Sequence, residues 1–193
     1  SLRDEKYSGF FTLEKLTDRT ALKLLKDRGC EAVNVKCLAR ELGCSTQPVY
    51  LSFSGMDELR AELIPLAVNT FENAMRSESA DGVIRLYDMS YVRFAKSEPC
   101  LFRFLFMCRD AFSETKKSLL PIIEKSVREL MTVYHIGHEE ADLLHDRMWM
   151  NAHGIASMIA IDFCGWNMEK AARMLADSKE AFTRKYEAFD VYE

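Results

Sequence analysis

Glycine and proline are scarce in this chain, 8 and 4 among 193 residues. Long stretches carry no turn cluster, so a nearly all-helical protein is expected. Zinc-type cysteine pairs are missing as well. The six cysteines stand at positions 30, 37, 44, 100, 108 and 164, with no CxxC among them and no histidine at a zinc-finger interval. They read as small apolar groups of a reduced, cytoplasmic protein. Cys30, Cys37 and Cys44 cluster where a redox switch would sit, but buried cysteines are usually inert. There is no Walker loop, dinucleotide fingerprint or nucleophile elbow, so no catalytic residue, cofactor or metal is expected, and an enzyme is disfavoured. His135, His138, Asp142 and His145 have intervals that suit one helix, yet they form no strict ligand motif and read as a solvated helix start.

A strong positive charge is lacking too. The formal charge is −4, and residues 12–60 hold eight Lys/Arg against seven Asp/Glu. Any nucleic-acid binding must therefore lean on geometry and dimerisation more than on bulk charge. No signal peptide is visible. The run from Met148 to Trp166 approaches the length of a membrane span, but Asn151, His153, Ser157 and Asp162 interrupt it, so no membrane association is expected.

What is present is apolar. The chain is 48% hydrophobic, which excludes disorder and allows one large or two small domains. The most informative stretch is Asn34 to Phe53, NVKCLARELGCSTQPVYLSF. Val35, Leu38, Ala39 and Leu42 make a short helical stripe. Gly43 follows, where a chain leaving a helix often needs a left-handed residue. Ser45 or Thr46 caps a second short helix with Pro48 in its first turn. Val49, Tyr50 and Phe53 are expected to face the first helix, and Ala39 is small where the two approach. Two short helices around a glycine turn are the pattern of a DNA-binding helix-turn-helix.

The flanks are read in order. Residues 1–11 are expected to form a loose arm, in which Arg3 and Lys6 can reach phosphate. A helix from Thr12 to Gly29 buries Leu13, Leu16, Ala21, Leu24 and Leu25. Ser54 caps a helix running to about Met75, with Asp57 and Glu58 in its first turn and Pro65 as an internal kink. Residues 76–81 read as a linker. Helices are then expected at 82–95 and in CLFRFLFMC after Pro99, followed by a loop at 109–116. A further helix carries Leu119 to Met131, with Pro121 near its start. The last two helices are Glu139–Phe163 and Glu169–Phe189. A seven-residue seam through Met168, Leu175, Phe182 and Phe189 makes them half of an intersubunit four-helix bundle.

The segment TALKLLKDRGCEAVNVKCLARELGCSTQPVYLSFSGMDEL resembles the DNA-binding domain of TetR family transcriptional regulators, without a gap over about residues 12–60. FAKSEPCLFRFLF is similar to a segment many members carry between their fifth and sixth helices. Trp149, His153 and Gly154 look like a W-x-x-x-H-G feature of one subgroup. The resemblance implies an all-α protein of about nine helices. Residues 1–55 would be a three-helix helix-turn-helix DNA-binding domain and 56–193 a helical ligand-binding and dimerisation domain. It implies a homodimeric repressor of double-stranded DNA, released by a small apolar or amphipathic effector.

Carried onto this chain, Asn34 takes the capping and phosphate-contacting position, and Lys36 lies beside the backbone. Ser45, Thr46, Gln47, Pro48, Tyr50 and Ser52 complete the DNA-binding set. Gln47 is the natural reader of an adenine edge, Pro48 can touch a thymine methyl, and Tyr50 can donate to phosphate. The chain departs from the family at Ser52, where many members have Tyr or His, and at Met56, where many have Lys. Both family residues commonly meet phosphate, and Ser52 with the amides of Ser54 and Gly55 would have to substitute. These departures define the alternative: a TetR-like protein without DNA binding that acts on a protein partner as a coregulator. The expected effector residues are Met89, Phe94, Phe102, Phe106, Met107, Trp149 and His153. The expected dimer contacts are Met158, Ile159, Leu175, Phe182 and Tyr186.

Overall fold

The computed structural model describes residues 2–53 and 55–187, with side chains from Lys15 onward except that of Asp110. Among them the chain forms nine α-helices, two short 3-10 turns and no strand. The helices are α1 (Leu2–Arg28), α2 (Val35–Leu42), α3 (Thr46–Ser52), α4 (Met56–Glu78), α5 (Met89–Ser97), α6 (Pro99–Met107), α7 (Phe112–Tyr134), α8 (His138–Ala160) and α9 (Met168–Glu187). Among the described residues no helix is long and apolar enough to cross a membrane.

Several boundaries differ from those expected, each for a local reason. The backbone of the supposed arm is helical, because α1 starts at Leu2. Its sequence holds no proline and has Gly9 as its only strong breaker. The helix expected at 82–95 starts only at Met89. Gly82 sits at φ 69, and the Asp81 carboxylate accepts from the Val83 N–H at 3.0 Å. That Asx-type bond offers the backbone an alternative to the helix. The supposed linker is still helical as far as Glu78. The loop expected at 109–116 is a 3-10 turn (Arg109–Ala111) that feeds directly into α7, so Pro121 lies well inside that helix. Helix α4 likewise continues through Pro65. Phe163 lies beyond α8 and is 73% exposed. Ser54 and Phe189 fall outside the described residues, and the expected burial of Leu13 concerns a side chain that is not described.

The chain divides into two compact units. One joins Ser1–Thr70 to Cys100–Thr115; the other joins Phe71–Pro99 to Lys116–Glu193. In the first unit α1, α2 and α3 pack on one another. Ala21, Leu25, Leu38, Val49 and Leu59 are buried in it. Helix α6 belongs here too, and a Cβ added at Gly29 would stand 3.8 Å from its Arg103 Nη2 and 3.9 Å from its Cys100 Sγ. The expected DNA-binding segment thus lies whole within a unit that also holds α6 and the first part of α4. Helix α6 buries Leu101, Phe102, Phe104 and Leu105 but leaves Arg103 and Met107 exposed, so it is not covered all round as its composition suggested.

In the second unit α5 packs on α8, and both touch α9. Phe71, Tyr91 and Phe94 are fully buried there. Phe71 meets Phe94 edge-on at 5.0 Å between ring centroids, a favoured aromatic geometry. The loop before α5 is fastened by Arg85. Its guanidinium donates to Glu129 on α7, at 2.9 Å from Nε, and to Asp81, at 2.9 Å from Nη2. Those bonds pull the Asp81 carboxyl far below the usual carboxylate range and raise the Arg85 guanidinium further.

Candidate nucleic-acid interface

The helix-turn-helix is built by three local devices. Asn34 stands at the N-cap of α2 in extended conformation, and its Oδ1 accepts from the Cys37 N–H at 3.0 Å. Its Nδ2 donates to the Glu31 carbonyl at 3.2 Å. At the other end Gly43 is left-handed, at φ 66. The Gly43 N–H donates to Arg40 O and the Cys44 N–H to Ala39 O, the crossed pair that closes a helix in a Schellman turn. Only a residue without a Cβ takes that φ at no cost. Ser45 then sits at the N-cap of α3 without a side-chain capping bond. Its role is therefore weaker than the cap read from the sequence.

The outcome is a helix buried on one side and open on the other. Val49 is 1% exposed and Phe53 6%, so both face inward as expected. Tyr50 does not: it is 64% exposed. One residue on from Val49 rotates the side chain by about 100°, and that turn separates the two faces. Ser45, Thr46 and Gln47 are exposed, and Pro48 is half-buried. Ser52 is also half-buried, and its Oγ donates to the Pro48 carbonyl at 3.0 Å, a bond within its own helix. Leu51, 65% exposed, belongs to the same open face. Reasoning from the family pattern passed over Leu51, although its place one turn after Gln47 is legible in the sequence.

The exposed cations of this part of the chain lie on α1 and α2 and not on α3. Lys36 and Arg40 on α2 are exposed, as are Lys15, Arg19, Lys23 and Arg28 on α1. Helix α3 itself contains no Lys, Arg, Asp or Glu. A helix-turn-helix lays its first helix across the phosphate backbone and its second into the major groove. The charge distribution fits that division.

The three nearby thiols are half-buried and free. Cys37 Sγ accepts from Arg40 at 3.4 Å. Cys30 lines a surface groove of about 370 Å³ with Cys100, Cys108 and Met107. Burial raises the pKa of the Cys30 thiol, with nearby Cys108 adding to the rise, which disfavours the reactive thiolate.

The expected effector residues divide between the two units. Phe102, Phe106 and Met107 lie in the first; Met89, Phe94, Trp149 and His153 lie in the second. In the first unit the rings of Phe102 and Phe106 meet at a tilt, 5.2 Å between centroids. In the second, the Tyr91 hydroxyl meets His153 Nδ1 at 2.9 Å. Burial lowers the His153 pKa and raises that of Tyr91, against a polar contact from Trp149. The contact is a hydrogen bond between the phenol and one imidazole nitrogen. A second histidine, His145, is fully buried, with rings of Tyr87 and Trp149 each 5.8 Å away. Burial lowers its pKa, against Asp146 and Asp142. The solvated helix start read for it is thus corrected: helical phase turns it inward while His138 stays exposed. No group of three or more metal-ligating side chains is found among the described residues.

The expected dimer contacts are partly or wholly covered by their own chain. Ile159, Leu175 and Tyr186 are 6%, 9% and 9% exposed within a single chain, and Met158 and Phe182 are half-buried. Tyr186 donates to Glu140 on α8 at 2.8 Å. The apolar face of α9 is therefore turned toward its own chain. Its outward face carries ion pairs such as Arg184–Glu180 at 2.9 Å and Arg173–Asp177 at 3.9 Å. The apolar side chains left open are on α8 and just beyond it: Leu143 (47% exposed), Met150 (72%), Ile161 (48%) and Phe163 (73%). Exposed Gly154 lies on the same stripe. The intervals from Leu143 to Met150 and from Gly154 to Ile161 are both seven residues, a signal available in the sequence.

Comparison with known proteins adds one match. Residues 19–63 fit the family model described as "Bacterial regulatory proteins, tetR family". That segment runs from within α1, through α2 and α3, to the first part of α4. No curated protein matches the chain significantly. With the cap, the glycine turn and the open reading face inside the matched residues, the helix-turn-helix of this chain is similar to that of the TetR family, which supports a DNA-binding transcriptional regulator.

Proposed function

We propose that the protein is a repressor that binds DNA as a homodimer and is released by a small apolar or amphipathic effector. The observation that carries the DNA reading is the exposure of Thr46, Gln47 and Tyr50 on a helix whose opposite side, Val49, is sealed into the first unit. Gln47 reads base edges, Tyr50 and Lys36 meet phosphate, and Asn34 holds α2 in place.

The dimer forms through α8, along Leu143, Met150, Gly154 and Ile161, with Phe163 at the edge. Four large apolar side chains, each close to half exposed or more, favour this face over the charged outer side of α9. Residues 1–55 form the reading domain and 56–193 the regulatory domain. The effector binds in the second unit near Met89, Phe94, Trp149 and His153, where the Tyr91–His153 pair offers polar groups within an aromatic surround. Helix α4 contributes to both units, its first part to one and its end to the other. A shift of its second part therefore passes along the helix, through Pro65, toward the reader.

Fluorescence anisotropy on duplex DNA flanking the protein's own gene tests this reading. Binding preferred over a scrambled duplex, falling steeply with salt and lost on adding an effector, is the expected result. Equal binding to both duplexes would contradict it.

A further inference from the structure

We infer that α3 reads A·T base pairs, with Gln47 on adenine and Leu51 on the thymine methyl, and that guanine is not read by this helix. The inference rests on the proposed DNA-binding role and names the chemistry of the site it would bind.

The residues open on α3 are Thr46, Gln47, Tyr50 and Leu51. Gln47 and Leu51 are separated by four positions, so they stand one above the other on one face. The commonest specific contact in the major groove is Arg or Lys to the O6 and N7 of guanine. Helix α3 has no such side chain. An amide instead matches the N6 and N7 of adenine, and an apolar group matches the thymine C5-methyl. The open face of α3 supplies one of each. Ser52 is half-buried with its hydroxyl proton given to Pro48 O, and the open Thr46 hydroxyl suits any base, so neither selects guanine. The exposed cations Lys36 and Arg40 lie on α2, the helix that crosses the backbone, where they meet phosphate without reading sequence.

A single exposed leucine on a surface is ordinary. Here it lies one turn from the amide on the helix that enters the groove, and it is 65% exposed. Burying it against a methyl group supplies discrimination that no charged contact on this helix can.

The test is a selection of bound duplexes from a randomised library with the full chain, followed by substitution of deoxyuridine for thymidine in the selected site. The selected half-sites should carry A·T pairs at the positions under α3. Gln47→Ala should lose roughly 5- to 100-fold in discrimination at the adenine. Removing one thymine methyl should weaken the wild type by about fourfold, the equivalent of one buried methyl group, and should leave Leu51→Ala unchanged. Guanine-rich half-sites, or equal sensitivity of wild type and Leu51→Ala to deoxyuridine, would overturn the inference while leaving DNA binding intact. If no sequence is enriched, the DNA-binding role itself falls, and the inference with it. Thermal midpoints of both variants matching the wild type confirm that the fold is unchanged.

Discussion

Helices α3 and α9 both carry an apolar stripe in the sequence, and the two stripes do opposite things. On α3 the buried residues are few, Val49 with Phe53 just after, and most of the helix is open. On α9 the stripe through Leu175 and Tyr186 is spent on the helix's own chain, and the outward side is charged. Periodicity reports that a face is covered but not by what. A partner chain and a neighbouring helix leave the same pattern, and only packing separates them.

The largest effects should come from breaking the covered faces. Val49→Asp puts an unpaired charge in the core of the helix-turn-helix and should cost about 4 kcal/mol or more, seen as loss of the folded first unit in chemical denaturation. Leu175→Ala should cost about 2–5 kcal/mol. It should act at every protein concentration, because the residue is buried within one chain. Met150→Glu is the counterpart on α8: it should leave the fold of the single chain within about 0.5 kcal/mol but convert dimer to monomer by sedimentation. If Leu175→Ala dissociated the dimer and Met150→Glu did not, the assignment of the two faces would be reversed.

The sequence disclosed the reader more fully than the regulatory half, for a physical reason. Asn34, Gly43 and Val49 act through their own turn of backbone, so local chemistry predicts them. Aromatic character suggests burial for Tyr50, whereas the helical phase after Val49 turns it outward. The start of α5 was missed because an Asp81 bond to the backbone and the long-range Arg85–Glu129 pair hold residues 82–88 out of the helix. The burial of His145 is hidden likewise, since Trp149 is near it in the chain but Tyr87 is far away. The expected effector residues divided between units because their aromatic character carries no information about which helices meet.

Smaller effects sharpen the contrast between local and long-range control. Asn34→Ala removes the cap of α2 and should cost about 1 kcal/mol, together with part of the DNA affinity. Buried His145 and half-buried His153 give a pH signature for the second unit. Both have folded pKa values below the unfolded value of about 6.5. Below that value the unfolded chain takes up protons that the native chain does not, so stability should fall as pH drops through about 6.5 and level off once the folded groups also protonate. His145→Leu should flatten the dependence in urea melts at pH 5.5 and 7.5.

The most direct measurement of the central claim compares wild type with the double variant Gln47→Ala/Leu51→Ala on flanking DNA and on a scrambled duplex, across a salt series. Both side chains are open to solvent, so the variant should keep its thermal midpoint. The wild type should prefer the flanking DNA, and the variant should bind both duplexes alike with an unchanged salt slope, because the exposed cations lie on α1 and α2 and Tyr50 is left in place. A variant that still discriminates as well as the wild type would show that the open face of α3 is not what reads the DNA.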